Sequence, residues 1–241
     1  MIPETNPAFA AFAESLKEEG EGLLAATIST TTAKLSLSTS SSTTSASPAA
    51  ATSAPQAALQ KLSENKHYHP AVEKVLRQAV AAAYEVICCA NSSLPAFDGL
   101  KPDFLIRKNR ACVAVVEVKV DDGVAATWDF SKDDKMQAVQ YARLLLDQNP
   151  LRDHATVCLF SIFHVQFVRV VRANEEVWVT DTYTTCPKAG VPSDCREGQQ
   201  ALFSYLTASE EEHGLRAFSM PGFVGGEEIK VVFVQVLFFL C

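Results

Sequence analysis

Apolar residues recur with two different periods along this chain, and the switches between them mark out the elements. From Ala71 to Ala90, Val72, Val75, Leu76, Ala79, Ala83, Val86 and Ile87 fall on one side of a helix that His69-Pro70 opens. Asn91 to Gly99 then carries Pro95 and an Asp98-Gly99 turn signal. Pro102 to Arg107 reads as a short strand, Asn109-Arg110 as a tight turn, and Ala111 to Val120 as a second strand. In that second strand, alternation puts Val113, Val115, Glu117 and Lys119 on one face and Cys112, Ala114, Val116, Val118 and Val120 on the other. A polar loop, Asp121 to Lys132, containing Gly123 and Trp128, leads to a helix from Asp133 to Gln148 that Pro150 stops. Ala155 to Arg172 is too long for one strand and is expected to bend near His164 into two. Glu176 to Tyr183 alternates again, and a last helix spans about Glu197 to Thr207 before the acidic run Glu210 to Glu212. The order helix, strand, strand, helix, strand, strand indicates an α/β (α+β) domain with a mixed sheet.

Two flanking regions follow other rules. Met1 to Thr27 has Phe9, Phe12, Leu16, Leu23 and Leu24 at helical spacing, predicting a short amphipathic helix on an arm, broken near Gly20 and Gly22. Ile28 to Gln56 is more than half Ser and Thr, with Pro48 and Pro55, and is expected to be a flexible linker. At the other end, Val231 to Cys241 is a strand-like apolar run, expected either to insert in the sheet or to open a further domain of a longer protein. The predicted organisation is an N-terminal arm over 1–56, the folded domain over 57–185 and a C-terminal extension over 186–241.

Composition narrows the setting. The 241 residues carry a net charge of −7, which disfavours a surface coated in basic residues for nucleic acid but leaves room for a local metal-dependent cleft. No apolar run reaches bilayer length, and no basic residue precedes the mild apolar stretch of the first residues, so no membrane span or secretory leader is expected. Seven scattered cysteines without a CxxC pair suit free thiols in an intracellular compartment, nuclear or cytoplasmic, although Cys186 and Cys195 could pair in an oxidising one. Oligomeric state is not legible.

The chemistry concentrates at one place. Glu117 and Lys119 share a strand face, and a hairpin can bring Asp103, after Pro102, beside Glu117. Two carboxylates there form a hard oxygen site suited to Mg²⁺, with Mn²⁺ as the alternative, and the neighbouring ammonium can orient an attacking water. A lone Glu-x-Lys on a strand is ordinarily a solvent-facing ion pair. Here Val113 and Val115 on the same face point to a buried end instead. Trp128 and Phe130 could stack on a base or anchor their loop. His67 and His69, lacking further ligands nearby, read as residues that precede or cap the helix.

Pro102-Asp103 followed by Glu117-Val118-Lys119 resembles the signature of the PD-(D/E)xK nuclease superfamily, and the flanking elements resemble its restriction-endonuclease-like αβββαβ core. Gln137, Ala138 and Tyr141 on the following helix are similar to nuclease-like domains of crinkler-type effectors. The resemblance covers about Tyr68 to Arg172. It implies a metal-dependent nuclease acting on nucleic acid, DNA ahead of RNA. Asp103 and Glu117 would hold the metal, with the Val118 carbonyl as a further ligand. Lys119 would activate water and Gln137 support the site, and a carboxylate on the first helix, Glu73 in preference to Glu85, would join the metal. Under the same resemblance the first strand is abbreviated or lies near Ala96 to Leu100. The rival expectation is a nuclease-like binding or effector module without turnover.

Overall fold

The computed structural model describes residues 6–26, 62–89, 100–108, 111–121, 128–187 and 194–215, together with the backbone of 27–38, 218–224 and 227–233. Helices α1 (Pro7–Ser38), α2 (His69–Ala79), α3 (Lys132–Gln148) and α4 (Arg196–Thr207) flank a mixed sheet. Its strands β1 (Glu85–Cys88), β2 (Phe104–Lys108), β3 (Ala111–Val118), β4 (His154–Ser161), β5 (His164–Val171) and β6 (Val177–Val179) stand in sequence order, and β7 (Tyr183–Thr184) also pairs with β5. Neighbours run antiparallel except β3 and β4. That pair is parallel because α3 carries the chain back across the sheet between them, the crossover such pairing requires. The order α2, β1, β2, β3, α3, β4 is the αβββαβ order expected, and the fold is mixed α/β with a mixed sheet flanked by helices. Strands β8 (Phe218–Val224) and β9 (Glu227–Phe233) make a separate antiparallel hairpin, and β9 takes in Val231 to Phe233 of the apolar run.

Two buried layers sandwich the sheet. Ala114, Val116 and Val118 of β3 pack with Tyr68, Val72, Leu76, Phe203 and Leu206 under α1, α2 and α4. Val115, Val157 and Leu159 face the other way, onto Ala138, Tyr141, Ala142 and Leu145 of α3. The predicted alternation of β3 is thus realised as one strand feeding two cores.

The helix expected over Ala71 to Ala90 ends at Ala79. The chain turns through Ala81 to Tyr84, and Glu85–Cys88 pairs with β2 as the first strand, not Ala96 to Leu100. Val86 joins one core layer and Ile87 packs on the other, as two-sided strand residues do. A four-residue apolar run fits either period, and pairing with β2 decides it.

The N-terminal helix also departs from expectation. It runs unbroken past Gly20 and Gly22, and Phe9, Phe12, Leu16 and Leu23 are buried in the main core rather than held out on an arm. The Phe9 and Phe12 rings meet Phe203 of α4 at 5.5 and 5.3 Å. Gly20 is a point of close approach: a Cβ there would overlap the Cys186 sulfur. Burial of each large side chain contributes roughly 1.5–3 kcal/mol, which outweighs the poor propensity of the two glycines. Of the Ile28 to Gln56 stretch expected to be a flexible linker, Ile28 to Ser38 instead continue α1. The remainder of that stretch, the Asp98-Gly99 and Asn109-Arg110 turn signals, Gly123 and residues 234–241 lie outside the described residues. The six described cysteines, Cys186 and Cys195 included, are free thiols.

Candidate active site

The pairing Phe104↔Val116 extends to set Asp103 opposite Glu117, so the hairpin of β2 and β3 joins the two carboxylates as expected. The Asp103 N–H donates to Glu117 Oε2 at 3.3 Å, and the Val118 N–H donates to Asp103 Oδ2 at 2.7 Å. These bonds hold both acids at the end of β3. Lys119 Nζ donates to Glu117 Oε1 and to Gln137 Oε1, each at 2.9 Å, and lies 3.4 Å from Asp134 Oδ1. Gln137 in turn donates to the Tyr141 hydroxyl at 3.0 Å. Asp103, Glu117, Lys119 and Gln137 therefore converge. The Lys119 N–H bonds Phe160 O on β4, and alternation turns the Val118 N–H and C=O to the opposite side, toward Asp103.

Helix α3 is placed by its own first turn. Ser131 and Asp134 form a reciprocal capping box, with Ser131 N–H to Asp134 Oδ2 at 2.9 Å and Asp134 N–H to Ser131 Oγ at 3.1 Å. One carboxylate thus caps the helix and faces Lys119, and Gln137 follows one turn later.

Glu73 is not brought to this site. Its carboxylate takes Arg77 Nε and Nη2 at 3.0 and 2.6 Å along α2. Glu85 lies on β1 opposite Arg107 and is exposed. The acid from this side of the fold is Glu64, which precedes α2 in a single π-helical turn, Glu64–Tyr68. The His69 N–H closes that wide turn on Glu64 O, and the five-residue spacing puts the two side chains together. His69 Nε2 lies 3.5 Å from Glu64 Oε1 and 3.2 Å from Asp103 Oδ1. Neither approach is aligned as a hydrogen bond, and both ring nitrogens of this buried histidine lack such a partner among the described residues. The ring rests edge-on against Phe104. Glu64, His69 and Asp103 can direct one ligand atom each at a common point. Neither Glu64 nor His69 was legible as a ligand, because a π turn follows neither the helical nor the strand period. A Glu and His five apart, just before a helix, is the one signal the sequence offers.

Electrostatics follow from this crowding. Burial, then the charge of Asp103, raises the Glu117 carboxyl to about 7, although Lys119 pulls it down. Burial and Asp103 also raise Glu64. Pairing with Asp103 raises His69 above its ordinary value against the opposing effect of burial. Burial works to lower Lys119, and Glu117, Asp134 and Asp103 outweigh it, so that the ammonium is favoured.

Beside this group, Asp121 Oδ2 meets His164 Nδ1 at 2.7 Å, and Tyr68 hydroxyl bonds the Asp121 carbonyl. Trp128 stacks on His164 at 5.1 Å and meets the buried Phe130 ring edge-on at 4.6 Å, so both aromatics anchor the chain here. His67 holds the backbone of Ser63 through Nδ1.

No family model and no curated protein matches the chain. Among solved structures, the type IIG restriction endonuclease BpuSI is similar over 62% of this chain and 16% of that one, at 18% identity and a TM-score of 0.36. Likeness at that level carries no argument about activity, and none of these comparisons bears on the crinkler-type resemblance. No described helix is long and apolar enough to cross a membrane.

Proposed function

We propose that the chain is a divalent-metal-dependent nuclease that hydrolyses phosphodiester bonds of nucleic acid, DNA ahead of RNA. The observation that carries this reading is the meeting of Asp103, Glu117 and Lys119 at one strand end, where burial and the charge of Asp103 raise the Glu117 carboxyl to about 7. Glu64, Asp103, Glu117, the Val118 carbonyl and His69 are the residues that would hold a cation. Their hard oxygens suit Mg²⁺, and the imidazole widens the fit to Mn²⁺. Nε2 of His69, buried and 3.5 and 3.2 Å from the Glu64 and Asp103 oxygens, is the nitrogen that would join them on a cation. When bound, the cation supplies Lewis-acid charge to a phosphodiester oxygen. Lys119 orients the attacking water, and Gln137 and Asp134 aim the ammonium.

The test is cleavage by the full chain of plasmid DNA, single-stranded DNA and RNA, with Mg²⁺, Mn²⁺ or chelator. Lys119→Ala and Asp103→Ala are run in parallel. Metal-dependent cleavage lost in both variants supports the reading. Cleavage that survives both places the activity elsewhere. A non-catalytic nuclease-like module is the second reading, favoured by the closed set of three acceptors around Lys119, which is satisfied without substrate. Absence of cleavage by the folded protein on every substrate selects it.

A further inference from the structure

The described residues expose five large hydrophobic side chains, and three of them are consecutive: Val177 at 41%, Trp178 at 58% and Val179 at 45%. Together they are the whole of β6, the outermost strand of the sheet. The ladder parity settles which backbone groups are free. The Val171 N–H reaches Glu176 O and the Thr180 N–H reaches Phe167 O, so Glu176, Trp178 and Thr180 turn their backbone toward β5. Val177 and Val179 then turn N–H and C=O away from the sheet, where the strand order puts no neighbour among the described residues.

Trp178 lies opposite Arg169 and on the same sheet face. There it lines a groove of about 620 Å³ with Phe167, Arg169, Tyr205 and His213, between the sheet and α4. An edge of this kind ordinarily carries a charge or a proline to discourage pairing, and β6 has neither within it. The charges stand at its ends instead: Glu175 and Glu176 before, Asp181 after. They also decide the occupant. A second copy pairing antiparallel about Trp178 would set its Glu175 against Asp181, and a parallel copy would set Glu176 against Glu176. Nucleic acid would meet the same three carboxylates.

We propose that β6 is a docking edge for an extended segment of another protein, apolar over three consecutive positions and flanked by Lys or Arg. The segment adds as a further strand on the Val177 and Val179 backbone. One apolar side chain enters the groove beside Trp178, and its basic ends meet Glu175, Glu176 and Asp181. The proposal is independent of the nuclease reading.

A labelled peptide with a valine–phenylalanine–valine centre and two lysines on each side is titrated with the full chain, by fluorescence anisotropy. Binding is expected that weakens with salt. It should fall by at least about tenfold when the peptide's pairing amides are N-methylated, and likewise when its lysines become glutamates. Val177→Lys with Val179→Lys, both at exposed positions, should abolish it while circular dichroism stays unchanged. N-methylation leaves the protein untouched, so the result does not hang on that variant. Equal binding of the N-methylated or glutamate peptide overturns the proposal, as does no binding at all. Self-association of the free chain that the double variant abolishes, or displacement of the peptide by single-stranded DNA, overturns it in favour of those occupants.

Discussion

Replacing Glu117 by Gln is expected to raise the stability of the metal-free protein at pH 8. The carboxyl titrates at about 7 in the fold against an ordinary value of 4.5, so between those values the folded state holds a proton that the unfolded chain has released. Stability from this group is present below about 4.5 and is lost as pH rises through 7, the usual carboxylate dependence reversed. From pH 5 to pH 8 the loss comes to about 2–3 kcal/mol. Glutamine escapes it, and its amide oxygen still accepts from Lys119, which keeps Gln137 and Asp134 as well, while the Asp103 N–H loses its acceptor. An offset of about 1–2 kcal/mol for the weaker and the lost bond leaves a net gain of about 1 kcal/mol at pH 8, a melting point higher by about 2–4 °C for a chain of this size. At pH 5 the gain should vanish or reverse. Thermal unfolding of both proteins in chelator at the two pH values measures it. Equal destabilisation of the variant at both pH values would refute the reasoning and make Glu117 a structural partner of Lys119.

Two further outcomes follow. His69→Gln should weaken Mn²⁺-induced thermal stabilisation by about tenfold in the concentration needed. It should also flatten the rise of that stabilisation with pH: protonated His69 favours the fold at low pH, that contribution is lost as pH rises through its raised value, and a cation competes with the same proton. An unchanged dose–response would remove the ring from the ligand set. Gly20→Ala should cost about 1–3 kcal/mol in urea unfolding, because the new methyl meets the Cys186 sulfur, and Cys186→Ala should recover part of that cost in the double variant.

What was legible depended on which period each residue obeyed. Glu117 and Lys119 could be put on one face because a strand has no other way to place them, and Gln137 followed because α3 carries a full helical stripe with a capping box at its start. Glu73 was a reasonable expectation from a helix bearing one carboxylate near its start, but α2 turns that side chain to Arg77. Glu64 and His69 were hidden because a π turn has a spacing that amphipathic patterns do not contain. Strand β1 was hidden for the opposite reason: Ala79, Ala83, Val86 and Ile87 continue a helical stripe by chance, and only β2, distant in sequence, shows otherwise. The N-terminal helix was visible, but its destination depended on Phe203 and Cys186, far along the chain.

The docking of α1 changes what the interval over 39–61 means to the molecule. Packed side chains stand on both sides of it, Phe9, Phe12 and Leu16 before and Tyr68 and Val72 after, in one core. A cut anywhere in that interval would not shorten the protein. It would make a two-piece complex, with the helix as a ligand for the groove it left. The intact backbone acts as a tether that keeps the helix near its groove at an effective concentration of about millimolar order. A chain begun at residue 57 would meet that groove empty, with the Phe203 face uncovered, and would lose solubility before it lost any chemistry.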